Sequence, residues 1–118
     1  MYIESFKQLI VWQKSMNLVQ EIYQTTAKLP KEEIYGLISQ MRRASISIPS
    51  NIAEGKKRKT KNDFLHFLRM ADGSAAELET QILLSKRLYI KIDFSFAESL
   101  LLEVQKMLIT VIKKLENV

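Results

Sequence analysis

Apolar residues recur at helical spacing in four stretches of this chain. In the first, from about Phe6 to Lys28, Leu9, Trp12, Met16, Val19 and Tyr23 share one helix face, which is read as the core stripe. Leu29-Pro30 ends it, because a residue before proline is pushed out of the α region. Val11, Leu18 and Ile22, with Ser15 between them, form a second apolar stripe nearly opposite the first. An isolated bundle helix needs only one apolar face. The second stretch opens near Lys31-Glu32-Glu33, with acids at the positive helix end, and carries Leu37, Met41, Ala44, Ile48 and Ile52. Pro49 interrupts it. Either one kinked helix or two short helices would result, and the stripe's unbroken phase favours the kink.

The third stretch starts at Thr60-Lys61-Asn62-Asp63, a capping-box-like run with Asp63 where Glu or Gln is usual. Phe64, Phe67, Leu68, Ala71, Ala75, Leu78 and Ile82 continue it to about Leu88. Gly73 falls inside, where glycine costs about 1 kcal/mol against alanine, so a packing reason is expected. The fourth follows Ser95-Phe96-Ala97-Glu98, a complete capping box, and sets Leu101, Val104, Leu108, Val111 and Leu115 on a heptad seam. Leu102 and Ile109 fall off that seam.

Four amphipathic helices with short connections predict an all-α fold, an antiparallel up-down four-helix bundle with helix 2 kinked at Pro49, in one domain over 1–118. A helix 2–helix 3 turn near residue 59 sets Ala44, Ser45 and Ser47 opposite Ala71, Gly73, Ser74 and Ala75. Small residues on both sides would let the backbones approach, which gives Gly73 its reason. The same register brings Arg43 near Asp72 or Glu77.

Composition narrows the function. No cysteine excludes disulfides and Cys-based metal sites, and one histidine makes a His-dependent triad improbable. No apolar run approaches a membrane span, and Met1 to Ser5 lack the pattern of a signal peptide, so a cytoplasmic protein with no membrane role is expected. The net charge is +5, but residues 42–61 alone are +6, with Glu54 the one acid among them. Basicity confined to one stretch is what an electrostatic footprint looks like.

The centre of that stretch reads Gln40-Met41-Arg42-Arg43-Ala44-Ser45-Ile46-Ser47-Ile48-Pro49-Ser50-Asn51-Ile52-Ala53-Glu54-Gly55. It resembles the four-helix bundle proteins encoded in intervening sequences of bacterial 23S ribosomal RNA genes. The likeness extends to Leu9-Ile10-Val11-Trp12-Gln13-Lys14 and Glu33-Ile34-Tyr35-Gly36-Leu37 upstream. Downstream it takes in Asp63-Phe64, Phe67-Leu68, Ala71 to Gln81 and Leu88-Tyr89-Ile90. The resemblance implies an up-down bundle and ring-shaped homopentamers, and it supplies no catalytic residues. A further similarity of fold, to the accessory proteins of diversity-generating retroelements, points to nucleic acid by analogy alone.

The chemistry is concentrated in Lys56-Lys57-Arg58-Lys59-x-Lys61, which Arg42 would extend. Clustered cations neutralise phosphates and release counterions, although such a run is also what a merely solvated turn carries. No aromatic is interleaved, so base stacking has no support here and binding is expected to be largely independent of sequence. Arg43, Ser47, Ser50, Asn51 and Glu54 form a polar stripe on helix 2. It is either a ligand site or, as we read it, inter-helix pairing with Arg43 to Asp72 or Glu77. Val11, Leu18, Ile22, Leu102 and Ile109 are read as an oligomer interface, against the alternative of scattered surface hydrophobics. His66 has only Asp63 at ligand spacing and reads as a surface or boundary residue.

No nucleophile motif or phosphate-cradling loop is present. The sequence therefore points to a non-catalytic oligomer without cofactor or metal, binding RNA or DNA through the basic turn. The competing reading is a scaffold docking an acidic protein on the same turn. A chain that persists in a mobile or intervening element without a strong cellular role is a third.

Overall fold

The computed structural model describes residues 5–118, and the first four, read above for a leader, lie outside it. Ser5 caps a 3₁₀ turn over Phe6–Gln8, and α1 follows over Ile10–Thr26. A second 3₁₀ turn (Lys31–Glu33) and a π-helical turn (Ile34–Ile38) lead into α2 (Ser39–Lys57). Then come α3 (Lys61–Leu88) and α4 (Ser95–Glu116). Each helix packs against its two neighbours in an antiparallel square, α1 against α2 and α4, α3 against α2 and α4, with α2 on α3 the most extensive contact. The bundle measures 45 × 21 × 21 Å, its long dimension set by the 28 residues of α3.

The core stripe of α1 is the opposite of the expected one. Val11, Ser15, Leu18 and Ile22 are buried, while Met16 and Tyr23 are exposed and Trp12 and Val19 half-buried. Apolarity alone ranks the Trp12–Met16–Val19–Tyr23 face higher because the true core face contains hydroxyls. It continues through Thr25 and Thr26 to Leu29. Those hydroxyls bond locally: Ser15 Oγ donates to the Trp12 carbonyl (2.8 Å), Thr26 Oγ1 to the Ile22 carbonyl (2.6 Å) and Thr25 Oγ1 to the Glu21 carboxylate (2.8 Å). A hydroxyl satisfied within its own helix is buried at little cost. Val11, Leu18 and Ile22 are therefore core residues of one chain and are corrected from the predicted oligomer interface.

Of the two outcomes expected at Pro49, α2 forms the single helix that the phase of its stripe favours, and the non-helical backbone is found not at Pro49 but before α2. Ser45 Oγ donates to the Arg42 carbonyl and Asn51 Nδ2 to the Ser47 carbonyl, so the polar residues around Pro49 bond to nearby backbone. The irregular backbone lies at Gly36 (φ −114°, ψ −114°). There the Glu33 carboxylate accepts the Leu37 N–H (3.2 Å) with one oxygen and the Tyr89 hydroxyl with the other. A Cβ on Gly36 would lie 2.7 Å from that first oxygen. This clasp joins the α1–α2 connection to the end of α3. The Tyr89 hydrogen bond, aided by the Leu37 N–H, holds the Glu33 carboxyl below its ordinary range, and the same bond raises the Tyr89 phenol.

Two further expectations are corrected. Gly73 is exposed and an added Cβ would meet nothing within 4 Å. The close approach is at Gly55, where a Cβ would lie 2.7 Å from Phe67 Cβ and 3.1 Å from Phe64 Cδ1. The capping box at Ser95 does not form. Phe94 is buried in the core, α4 begins at Ser95, and the Asp93 carboxylate accepts the Ser95 N–H (2.8 Å); the Ser95 hydroxyl first, and this N–H second, lower the Asp93 carboxyl. Glu98 pairs instead with Lys86 (3.0 Å).

Candidate nucleic-acid interface

Up-down topology gathers four segments at one end of the bundle: the start of α1, the end of α2, the start of α3 and the end of α4. Lys56 and Lys57 occupy the last turn of α2, where cations complement the negative helix terminus. Arg58 is extended (φ −69°, ψ 151°) and ends the helix, and the Thr60 hydroxyl caps α3 by accepting the Asp63 N–H (3.1 Å). The turn is short because Gly55 leaves room for Phe64 and Phe67 of α3 against the end of α2.

The predicted cations are not equivalent. Lys57 and Lys59 are exposed and have no ion-pair partner among the described residues. Lys56 Nζ lies over the Phe64 ring at 5.8 Å from its centroid. The Arg58 guanidinium lies over Phe67 (5.1 Å) and pairs with Glu54 (3.3 Å), an exposed i,i+4 pair of small energetic weight. Lys61 Nζ donates to the Val118 carbonyl (2.8 Å), which ties α3 to the last residues described.

Arg42 does not join them. It lies about 22 Å up the axis of α2 from Lys57. There its Nε donates to Thr26 Oγ1 (3.0 Å), a terminal nitrogen donates to the Tyr23 carbonyl (3.3 Å), and the guanidinium stacks on the Tyr23 ring (4.4 Å). Arg42 caps the C-terminus of α1 and is corrected from the interface. Conversely, Lys113 and Lys114, in the last turn of α4, belong to the basic end. They lie more than fifty residues from the basic run, so sequence proximity misses them. Applied to the predicted antiparallel order, helix polarity finds them. Glu116, their acidic neighbour, is taken by Arg69 (2.6 Å).

The polar stripe of α2 divides. Ser47 and Ser74 share a hydrogen bond (2.8 Å) across the α2–α3 contact, Asn51 Nδ2 donates to Ser47 Oγ (2.9 Å), and Glu54 holds Arg58. Ser50 faces the other way, onto α1. Arg43 is exposed and makes no ion pair with Asp72 or Glu77, contrary to the expected pairing. Arg43, Ser47, Glu77 and Gln81 instead line an open polar groove of about 370 Å³. His66 is exposed, and among the described residues no group of three His, Asp or Glu side chains is placed to hold a metal. None of the described helices is long and apolar enough to cross a membrane.

Two apolar surfaces lie on opposite sides of the bundle. Trp12, Met16 and Val19 of α1 with Ile46, Pro49 and Ala53 of α2 form a groove of about 330 Å³. Across the bundle, Glu79–Gln105 (2.9 Å) and Lys86–Glu98 mark the outer seam between α3 and α4. Helical spacing puts Leu83, Leu102 and Ile109 beside those four residues, and all three are exposed. Leu102 and Ile109 thus lie off the core, as the heptad seam requires.

None of the curated proteins matches this chain. Among solved structures it is similar to the crystal structure of a protein with unknown function from the S23 ribosomal protein family of Bacteroides thetaiotaomicron VPI-5482. The two are 27% identical with a TM-score of 0.75, over 88% of this chain and 99% of that one. A sequence model of the 23S rRNA-intervening sequence protein family matches residues 7–110, in which all of α1, α2 and α3 and most of α4 fall. With the matching four-helix fold, the chain belongs to the 23S rRNA-intervening sequence protein family.

Proposed function

We propose that this protein is a non-catalytic, self-assembling cytoplasmic bundle that binds nucleic acid, structured RNA or an RNA–protein complex, through its basic end. The observation that carries the reading is the set of exposed cations at that end that have no acidic partner among the described residues: Lys57 and Lys59 at the α2–α3 turn, joined by Lys113 and Lys114 of α4. Phosphate binding needs several cations close together and free to exchange their counterions. Lys56, Arg58 and Lys61 add to the set.

Assembly strengthens the reading. A groove on the α1–α2 side and an apolar ridge on the α3–α4 side suit a head-to-tail contact between copies, and such a contact closes into a ring when its rotation allows. Five is the ring size implied by the family resemblance. Side-by-side copies in a ring point their basic ends the same way, so each weak phosphate site gains from its neighbours.

The test is recovery of tagged protein from its host cells, with and without nuclease treatment, for the wild type and for a variant with Lys56, Lys57, Arg58 and Lys59 changed to alanine. Nuclease-sensitive material that accompanies the wild type alone supports the reading. A nuclease-resistant acidic protein on the same patch would replace it with a docking scaffold.

A further inference from the structure

We infer that the basic end is also a stacking shelf for an unpaired base, formed by Arg58 with Phe67 behind it and His66 beside it. The inference rests on the nucleic-acid reading above and names its substrate class: single-stranded nucleic acid, or the unpaired loops and bulges of a folded RNA.

The linear sequence argues the other way, since no aromatic interrupts Lys56 to Lys61. Folding reverses that. The first two turns of α3 lie directly behind the last turn of α2, because Gly55 presents no side chain to Phe64 or Phe67. Both rings are half-buried, and each has a cation over it, Lys56 at 5.8 Å and Arg58 at 5.1 Å from the centroids. His66 is exposed and meets Phe67 edge-on, with centroids 5.2 Å apart and planes 76° apart.

A guanidinium is planar and poorly hydrated on its faces, so it accepts an aromatic on each side. The guanidinium carbon of Arg58 lies over the Phe67 ring, the side chain is 50% exposed, and among the described residues only one terminal nitrogen is engaged, by Glu54. Lys57 and Lys59, one residue to either side, are placed for the phosphates flanking a base held there. Every base has a π-face, so such a shelf tolerates any sequence. It discriminates by strandedness, because a base inside a duplex has both faces covered by its neighbours.

The test compares three labelled ligands by fluorescence anisotropy at low salt: an oligoadenylate of about a dozen nucleotides, an abasic strand with the same phosphates, and a blunt duplex. The proteins are the wild type, Arg58→Lys, which keeps the charge and loses the plane, and His66→Ala. Both substitutions are on the surface, and unchanged melting is expected. One stacked base makes the wild type prefer the oligoadenylate over the abasic strand about tenfold. Arg58→Lys removes most of that preference and His66→Ala part of it, so that in each variant the affinity for the oligoadenylate falls further than that for the abasic strand and the duplex. Equal binding of oligoadenylate and abasic strand by the wild type overturns the shelf and leaves the phosphate reading standing. A preference that survives both substitutions also overturns it. Failure of all three ligands to bind overturns the nucleic-acid reading itself.

Discussion

Gly55 and Gly73 are both helical, and alanine at each should have opposite effects. Gly73 is exposed with nothing within 4 Å of the added methyl, so Gly73→Ala gains the helical preference of alanine, about 1 kcal/mol. At Gly55 the same gain is opposed by a contact of 2.7 Å to Phe67 Cβ and one of 3.3 Å to the Phe64 carbonyl. Neither is the end of a flexible side chain, so relief requires α3 to move. Overpacking of this kind costs about 1–3 kcal/mol, which leaves Gly55→Ala destabilised by about 1 kcal/mol. The variants then differ by about 2 kcal/mol, or about 8 °C in melting temperature for a chain of this size. Thermal and urea unfolding at one fixed protein concentration measure this, since self-association would otherwise shift the midpoint. A Gly55→Ala protein stabilised as much as Gly73→Ala would refute the tight α2–α3 contact. It would also remove Phe64 and Phe67 from behind the basic turn.

Other expectations follow from the corrected placements. Leu18→Ala should cost about 3 kcal/mol in urea unfolding because Leu18 is fully buried, whereas Met16→Ala, on the outer face, should cost under about 1 kcal/mol. Arg42→Ala should destabilise by about 1–2 kcal/mol, since it removes two hydrogen bonds and the Tyr23 stack, and titration with RNA should show unchanged affinity. The Glu33 carboxyl is held below its unfolded value, so its contribution to stability is present above the ordinary carboxyl range and lost as pH falls through the folded value. Melting of the wild type should therefore fall more steeply below about pH 4 than that of Glu33→Gln. Met16→Glu and Ile109→Glu, one on each apolar surface, should each yield smaller assemblies by light scattering with helicity unchanged.

The fold class and all four helices were legible because the spacing of Met41, Ile48 and Ile52, of Leu68, Leu78 and Ile82, and of Leu101, Val104 and Leu108 fits a helix and little else. The face of α1 was not. Its core stripe contains Ser15, Thr25 and Thr26, whose polarity is neutralised by bonds to carbonyls and a carboxylate of the same helix. A periodicity argument counts residue types and does not see those bonds. Gly55 and Gly73 look alike in sequence, and only the neighbouring side chains separate them. The basic run was legible as charge, but Lys113 and Lys114 join it through topology and Phe67 through packing. Arg42 leaves it because an arginine one turn into a helix and near another helix's end finds carbonyls to cap.

The most direct measurement of the account is the affinity for a labelled structured RNA as a function of salt, for the wild type and for the variant with Lys56, Lys57, Arg58 and Lys59 changed to alanine. The wild type should weaken steeply with salt. The variant should bind far less tightly, with a logarithmic slope shallower by about 0.7–0.9 for each phosphate that a subunit no longer neutralises. Equal affinity and slope for the two proteins, or no binding by the wild type at low salt, would contradict the assignment of the basic end as a nucleic-acid interface.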